Sequence, residues 1–322
     1  MNRMLTNDII QDIICWSPKG TKNIGYGEYF EYLRESNECS NQEELTHHLT
    51  NTFVPMLSEC AKNIFNTDIL EKYRIYVVPS ALFSAETLYL DSDPIVVIHQ
   101  GVFCLLSFSI ESDIISNKLH QSAGNSRSSH QLANRFDMLK QHLFHTFLSS
   151  PNRLPFFRNW MDDKDLEMEF FYLMASELFI IFHEIAHIEL GHIKQGRLKT
   201  DSWLENEFQA DAKALSYADS PDHLILGAWS FLYWYSIYQG WNTSYSDVHP
   251  RAKDRFENIL RVYKDTQSNS RLILDSLDAD LKTLSAMENT FERGDHKDWW
   301  MGEFNDVEQV TLEMHSILDV LL

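Results

Sequence analysis

The run Phe179 to His192, FIIFHEIAHIELGH, constrains this chain more than any other stretch. It follows FYLMASEL without a Pro or Gly before Gly191, so Asp165 to His192 reads as one long apolar helix. Two histidines and a glutamate sit inside it. A polar side chain on a buried helix face is costly unless it finds a partner. The fold must therefore supply partners for His183, Glu184 and His187.

The spacing says what kind of partner. His183 and His187 lie one helical turn apart and point the same way. Two imidazoles in that relation can hold one Zn²⁺ at about 2.0–2.1 Å each. Glu184 is rotated away from both, which suits a base that takes a proton from a metal-bound water. Such a centre needs a third protein ligand and an open position.

The next helical segment, WLENEFQADAKALSYA, offers Glu207 and Glu205 as that ligand. Glu207 is favoured, because Asp211 follows it by one turn on the same face. Asp211 can then accept the far N–H of a ligand histidine, and the small Ala210 lets the two helices approach. His192 lies about 140° round the helix from His187, so it is a poor ligand for the same ion. Its position suits a helix C-terminus.

HEIAH followed by ENEFQAD resembles the gluzincin metallopeptidases, and the Glu-x-x-Ala-Asp form looks like their M48 family. The later segment DVHPRAKDRF is similar to that family's third block. The resemblance implies that His249 or Arg255 stands near the site and steadies the transition state or buttresses the ligand helix. His249-Pro250 also reads as a helix start. Two other groups share the pattern: the soluble Lit-type phage-exclusion peptidases, and the repressor-cleaving ImmA/IrrE peptidases with HExxHxxxGH. The latter usually have Asn where this chain has Asp211. The resemblance covers residues 75 to 265 and implies a zinc-dependent endopeptidase binding one Zn²⁺. It also implies a substrate held as an added strand on a sheet edge. PIVVIH is the candidate edge, making Ile95, Val96, Val97 and Ile98 candidate substrate contacts.

Composition limits the alternatives. The formal net charge is −20, from 47 acidic and 27 basic residues. Nucleic-acid partners need clustered Lys and Arg, so none is expected; a protein or peptide substrate is what the resemblance implies. Cys15, Cys39, Cys60 and Cys104 form no CxxC pair, which fits free thiols of a reducing, cytoplasmic compartment. No stretch reads as a membrane span. The nearest, Leu224 to Trp241, carries Gly, Ser, Gln and Tyr and reads as a core helix.

Strands are expected at 73–79, 87–90 and 94–99, and helices at 4–15, 41–65, 131–148, 165–192, 203–218, 222–240, 250–265, 271–290 and 305–321. The polar stretch 117–131 reads as an exposed loop, and Lys194 to Asp201 as a turn. The expected fold is α+β and mainly helical: a zincin-like catalytic domain whose small mixed sheet precedes the HExxH helix, then a C-terminal helical region. Its parts are a helical 1–70, a catalytic 71–265 and a helical extension 266–322. Competing functions are a zinc-bearing sensor or regulatory protein and a protease with one target. Glu184 favours the enzyme, because a structural zinc site needs no base.

Overall fold

A computed structural model describes residues 5–6, 9–10, 39–124, 126–149, 154–194, 197–198, 203–219, 221–241, 250–266, 275–279, 281–285 and 307–322. It is mostly helical with a small mixed sheet, the α+β class that the sequence implies.

Helix α1, Gln42–Phe65, starts where the Asn41 side chain accepts from the Glu44 backbone N–H. It ends at Asn66, whose φ of 52° is left-handed. Three strands follow: β1 (Arg74–Val78), β2 (Ala85–Leu90) and β3 (Asp93–His99). Strand β3 lies in the middle, parallel to β1 and antiparallel to β2. Asp91 and Ser92 both have positive φ, the backbone a two-residue hairpin with the native twist requires.

Alternation along the strands divides the core. Ile75, Val77, Val96 and Ile98 enter the main hydrophobic cluster. Tyr76, Val78, Ile95 and Val97 join Leu5 and Ile10 on the other face. Both faces are covered, which explains the unbroken apolar run in PIVVIH. Strand β3 is thus interior, with both edges hydrogen-bonded, and Ile95, Val96, Val97 and Ile98 are buried. Its backbone has no room for a substrate strand, which corrects the expectation for these four residues. Among the described residues the edge strands are β1 and β2, and β2 is the one that carries Thr87 against Glu184.

Helix α2 (Gln100–Ser122) leaves β3 directly. A Cβ on Gly101 would stand 2.2 Å from the Ala81 carbonyl oxygen, so only glycine permits this approach. Helix α3 is Arg127–Ser149. The stretch 117–131 is therefore a tight helical corner rather than a loop. Its histidines find nearby partners: His120 Nε2 lies 2.8 Å from Asp137 further along α3, and His130 Nε2 lies 2.9 Å from the Gly124 carbonyl. Leu119 and Ala123 are buried beneath them.

Helix α4 (Asp163–Glu189) opens with a reciprocal capping box between Asp162 and Asp165. Gly191, at φ 66°, turns the chain beyond its end. Strands β4 (Ile193–Lys194) and β5 (Arg197–Leu198) form a two-stranded ribbon where sequence suggested only a turn. Helices α5 (Trp203–Leu215), α6 (Pro221–Trp241), α7 (Ala252–Thr266) and α8 (Val307–Leu321) follow. Residues 275–279 and 281–285 are helical within the expected 271–290.

Helix α4 packs against α5, α6, α2, β2 and β3, so its apolar length is interior. Gly227 of α6 makes this possible, because a Cβ there would meet the Ala175 carbonyl carbon at 2.2 Å. By length and composition α4 is the one described helix able to cross a membrane, yet 78% of its most apolar window is buried inside the protein.

Candidate metal and catalytic site

The packing of α5 across α4 brings the polar residues of both helices together. His183, His187 and Glu207 are all buried and can share one ion. His183 Nε2 lies 3.0 Å from His187 Nε2. Glu207 turns Oε2 to His183 Nε2 at 3.3 Å and Oε1 to His187 Nε2 at 3.4 Å. In a tetrahedral centre with bonds of 2.0–2.1 Å, donor atoms stand about 3.3–3.4 Å apart. The three edges fit that figure within a few tenths of an ångström.

The chemistry of the donors also fits. Asp211 Oδ1 lies 2.9 Å from His183 Nδ1, within reach to accept a proton carried there, while Nε2 faces inward. His187 turns its Nδ1 toward His192 Nδ1 at 3.0 Å, and His192 Nε2 reaches Gln209 Oε1 at 3.2 Å. Two ring nitrogens and a carboxylate thus face one point. A single proton can bridge one edge of that triangle, whereas a cation serves all three. Burial and the Arg255 charge push the His183 pKa down, but Asp211 and Glu207 outweigh them and lift it to about 9. The pKa of His187 is lowered, chiefly by burial.

Arg255 of α7 closes the arrangement from behind. Its Nε donates to Asp211 Oδ2 at 2.9 Å and its Nη2 to Asp211 Oδ1 at 2.7 Å. Nη1 stands 3.8 Å from Glu207 Oε2. Asp211 is fully buried, yet Arg255 and His183 hold its carboxyl below the usual range against the opposing effect of burial. Nη2 also lies 3.3 Å from His183 Nδ1, so the guanidinium touches residues of both α4 and α5. Glu205 is exposed and accepts from Gln209 Nε2 at 3.0 Å, away from the triangle. His249 lies outside the described residues.

Glu184 lies beside the triangle. The Thr87 hydroxyl of β2 is 3.0 Å from Glu184 Oε2 and 2.9 Å from the Glu184 carbonyl oxygen, within donating reach of either. Burial, joined by Glu207 and Glu86, raises the Glu184 carboxyl to about 7 against the opposing His183 and Thr87. A carboxylate tuned there can both take and return a proton near neutral pH. Sequence reasoning missed Thr87. It also missed the neighbouring pair of Glu86 and His99, with Nε2 3.3 Å from Oε1. These residues sit on separate strands with no motif of their own, and only sheet pairing aligns them with α4.

A small cavity opens at this point, lined by Phe83, Phe179, Phe231, Tyr235, His183 and Glu184 among others. A buried His-His-carboxylate group beside a tuned carboxylate is what a metal-assisted hydrolase requires. Residues 116–274 match the family described as Peptidase U49. The matched segment includes His183, Glu184, His187, Glu207, Asp211 and Arg255, and it supports a peptidase acting on protein. No curated protein and no solved structure matches the chain.

Proposed function

We propose that this chain is a zinc-dependent endopeptidase of the gluzincin type, with His183, His187 and Glu207 holding one ion. The observation that carries the reading is the convergence of these three buried donors beside Glu184. Zinc bound there would acidify a water and polarise the scissile carbonyl.

The protein's own groups do the rest. Glu184 takes the proton of the attacking water and returns it to the leaving amine. Thr87 fixes the Glu184 carboxylate so that one oxygen stays directed at the reacting centre. Asp211 holds the His183 ring, and Arg255 keeps Asp211 charged inside the protein. A peptide adding to the open edge of β2 would run past Thr87 and bring its carbonyls within reach of Glu184. This moves the substrate edge from β3, as first read from PIVVIH, to its neighbour. The M48-like pattern of Glu207, Ala210 and Asp211 supports the same reading.

The test compares the purified protein with its Glu184→Gln variant for bound zinc and for cleavage of a cell lysate. Equal zinc with cleavage reduced about 10²–10⁴-fold is expected. Absence of zinc from both proteins would overturn the proposal. Equal cleavage by both would remove Glu184 from the mechanism.

A further inference from the structure

Two turns upstream of Glu184 on α4, another carboxyl is buried without a role in the site just described. Glu177 is 3% exposed, and its Oε2 has no hydrogen-bond partner among the described residues. Burial alone pushes its carboxyl well above the usual range. A polar group so placed costs stability unless something pairs with it.

Glu177 lines a cavity of about 350 Å³, separate from the one at the metal ligands, bounded by α1, α2, α4 and the segment around Leu154. The walls are aromatic. Phe53 and Phe103 stack with centroids 4.4 Å apart, and Phe108 and Phe147 join them. At the rim Phe156 and Phe170 are 54% and 48% exposed. Arg158 also lines the cavity, but its guanidinium serves Glu111 at 3.2 Å and Glu169 at 2.7 Å. That leaves Glu177 as the carboxyl of this cavity without a cationic partner among the described residues. A buried carboxyl among phenylalanine faces is an environment that suits an organic cation.

We propose that this cavity is a second ligand site, taking a small molecule with an apolar body and a protonated amine that pairs with Glu177. Its size lies at the lower end of small-ligand sites, about 300–1,000 Å³. An alcohol of the same shape could hydrogen-bond the carboxyl but would bring no positive charge to stabilise its ionised form. A carboxylate would add a like charge. The site lies seven residues before Glu184 on one helix, about 10 Å along its axis, and does not depend on the metal ligands.

The test uses the full chain and isothermal titration with n-octylamine, n-octanol and n-octanoate, each below its micellar range. The amine is expected to bind at least about tenfold more tightly than the alcohol, with octanoate weaker still. Glu177→Gln keeps the shape, and circular dichroism checks its fold; it should bring amine and alcohol to similar affinity. Phe170→Ala, at the half-exposed rim, should weaken both and preserve their ratio. Equal binding of amine and alcohol by the unaltered protein, or no amine binding, overturns the proposal. So does an unchanged ratio in Glu177→Gln, which would mean that the amine binds elsewhere, including at the metal centre.

Discussion

Replacing Asp211 with Asn tests how the ligand helices are held. Asp211 is fully buried and Arg255 is 4% exposed. The carboxylate takes Nε and Nη2 of Arg255 at 2.9 and 2.7 Å and meets His183 Nδ1 at 2.9 Å. Asparagine preserves the shape but strands the guanidinium, whose nearest other carboxylate oxygen, on Glu207, is 3.8 Å away. Breaking a buried pair by removing one charge costs about 3–5 kcal/mol. With an unfolding entropy of about 2.1 cal/mol/K per residue, a chain of this size should then melt roughly 4–7 °C lower. Urea unfolding followed by far-UV circular dichroism, with chelator present throughout, measures the loss independently of metal. The sign with pH follows from the depressed carboxyl. Its stabilisation is fully present above the unfolded value of about 3.9 and is lost as pH falls through the lower folded value. The difference between the two proteins should therefore shrink below about pH 4. The double variant Asp211→Leu with Arg255→Met should be more stable than the summed single losses imply. A cost under about 1 kcal/mol for Asp211→Asn, or strict additivity in the double variant, would refute the buttress.

Three further outcomes are expected. Glu207→Gln should lower bound zinc in metal analysis, whereas Glu205→Gln, on the exposed side of α5, should leave it unchanged. Thr87→Val should reduce kcat about tenfold with zinc content intact, because it removes the hydroxyl 3.0 Å from Glu184 Oε2 and no metal ligand; zinc loss in step with activity would contradict this. Gly227→Ala should destabilise by about 1–3 kcal/mol in denaturant melts, since the added carbon meets the Ala175 backbone.

Much of the site was legible because helical periodicity is local. The i, i+4 spacing fixes how His183 relates to His187, and Glu207 to Asp211, whatever surrounds them. The same rule excluded His192 as a ligand, and it stands beyond His187 instead. The apolar run around HEIAH required an interior helix with polar partners, and α4 is one. The helix-rich second half followed from the same period.

What depends on distant pairing was decided by tertiary structure alone. PIVVIH reads equally as an edge or an interior strand, since its composition reports burial and not which neighbours supply it. Pairing with β1 and β2 together made it interior and left those two strands at the edges. The polar stretch at 117–131 looked like a loop because sequence shows polarity but not partners; contacts such as His120 with Asp137 let the helices continue almost to their corner. Thr87 meets Glu184 across 97 residues, and Arg255 meets Asp211 across 44. Sequence by itself placed the candidate ligands and the candidate base within their own helices. The packing of β2 and α7 against those helices determined what holds them in place.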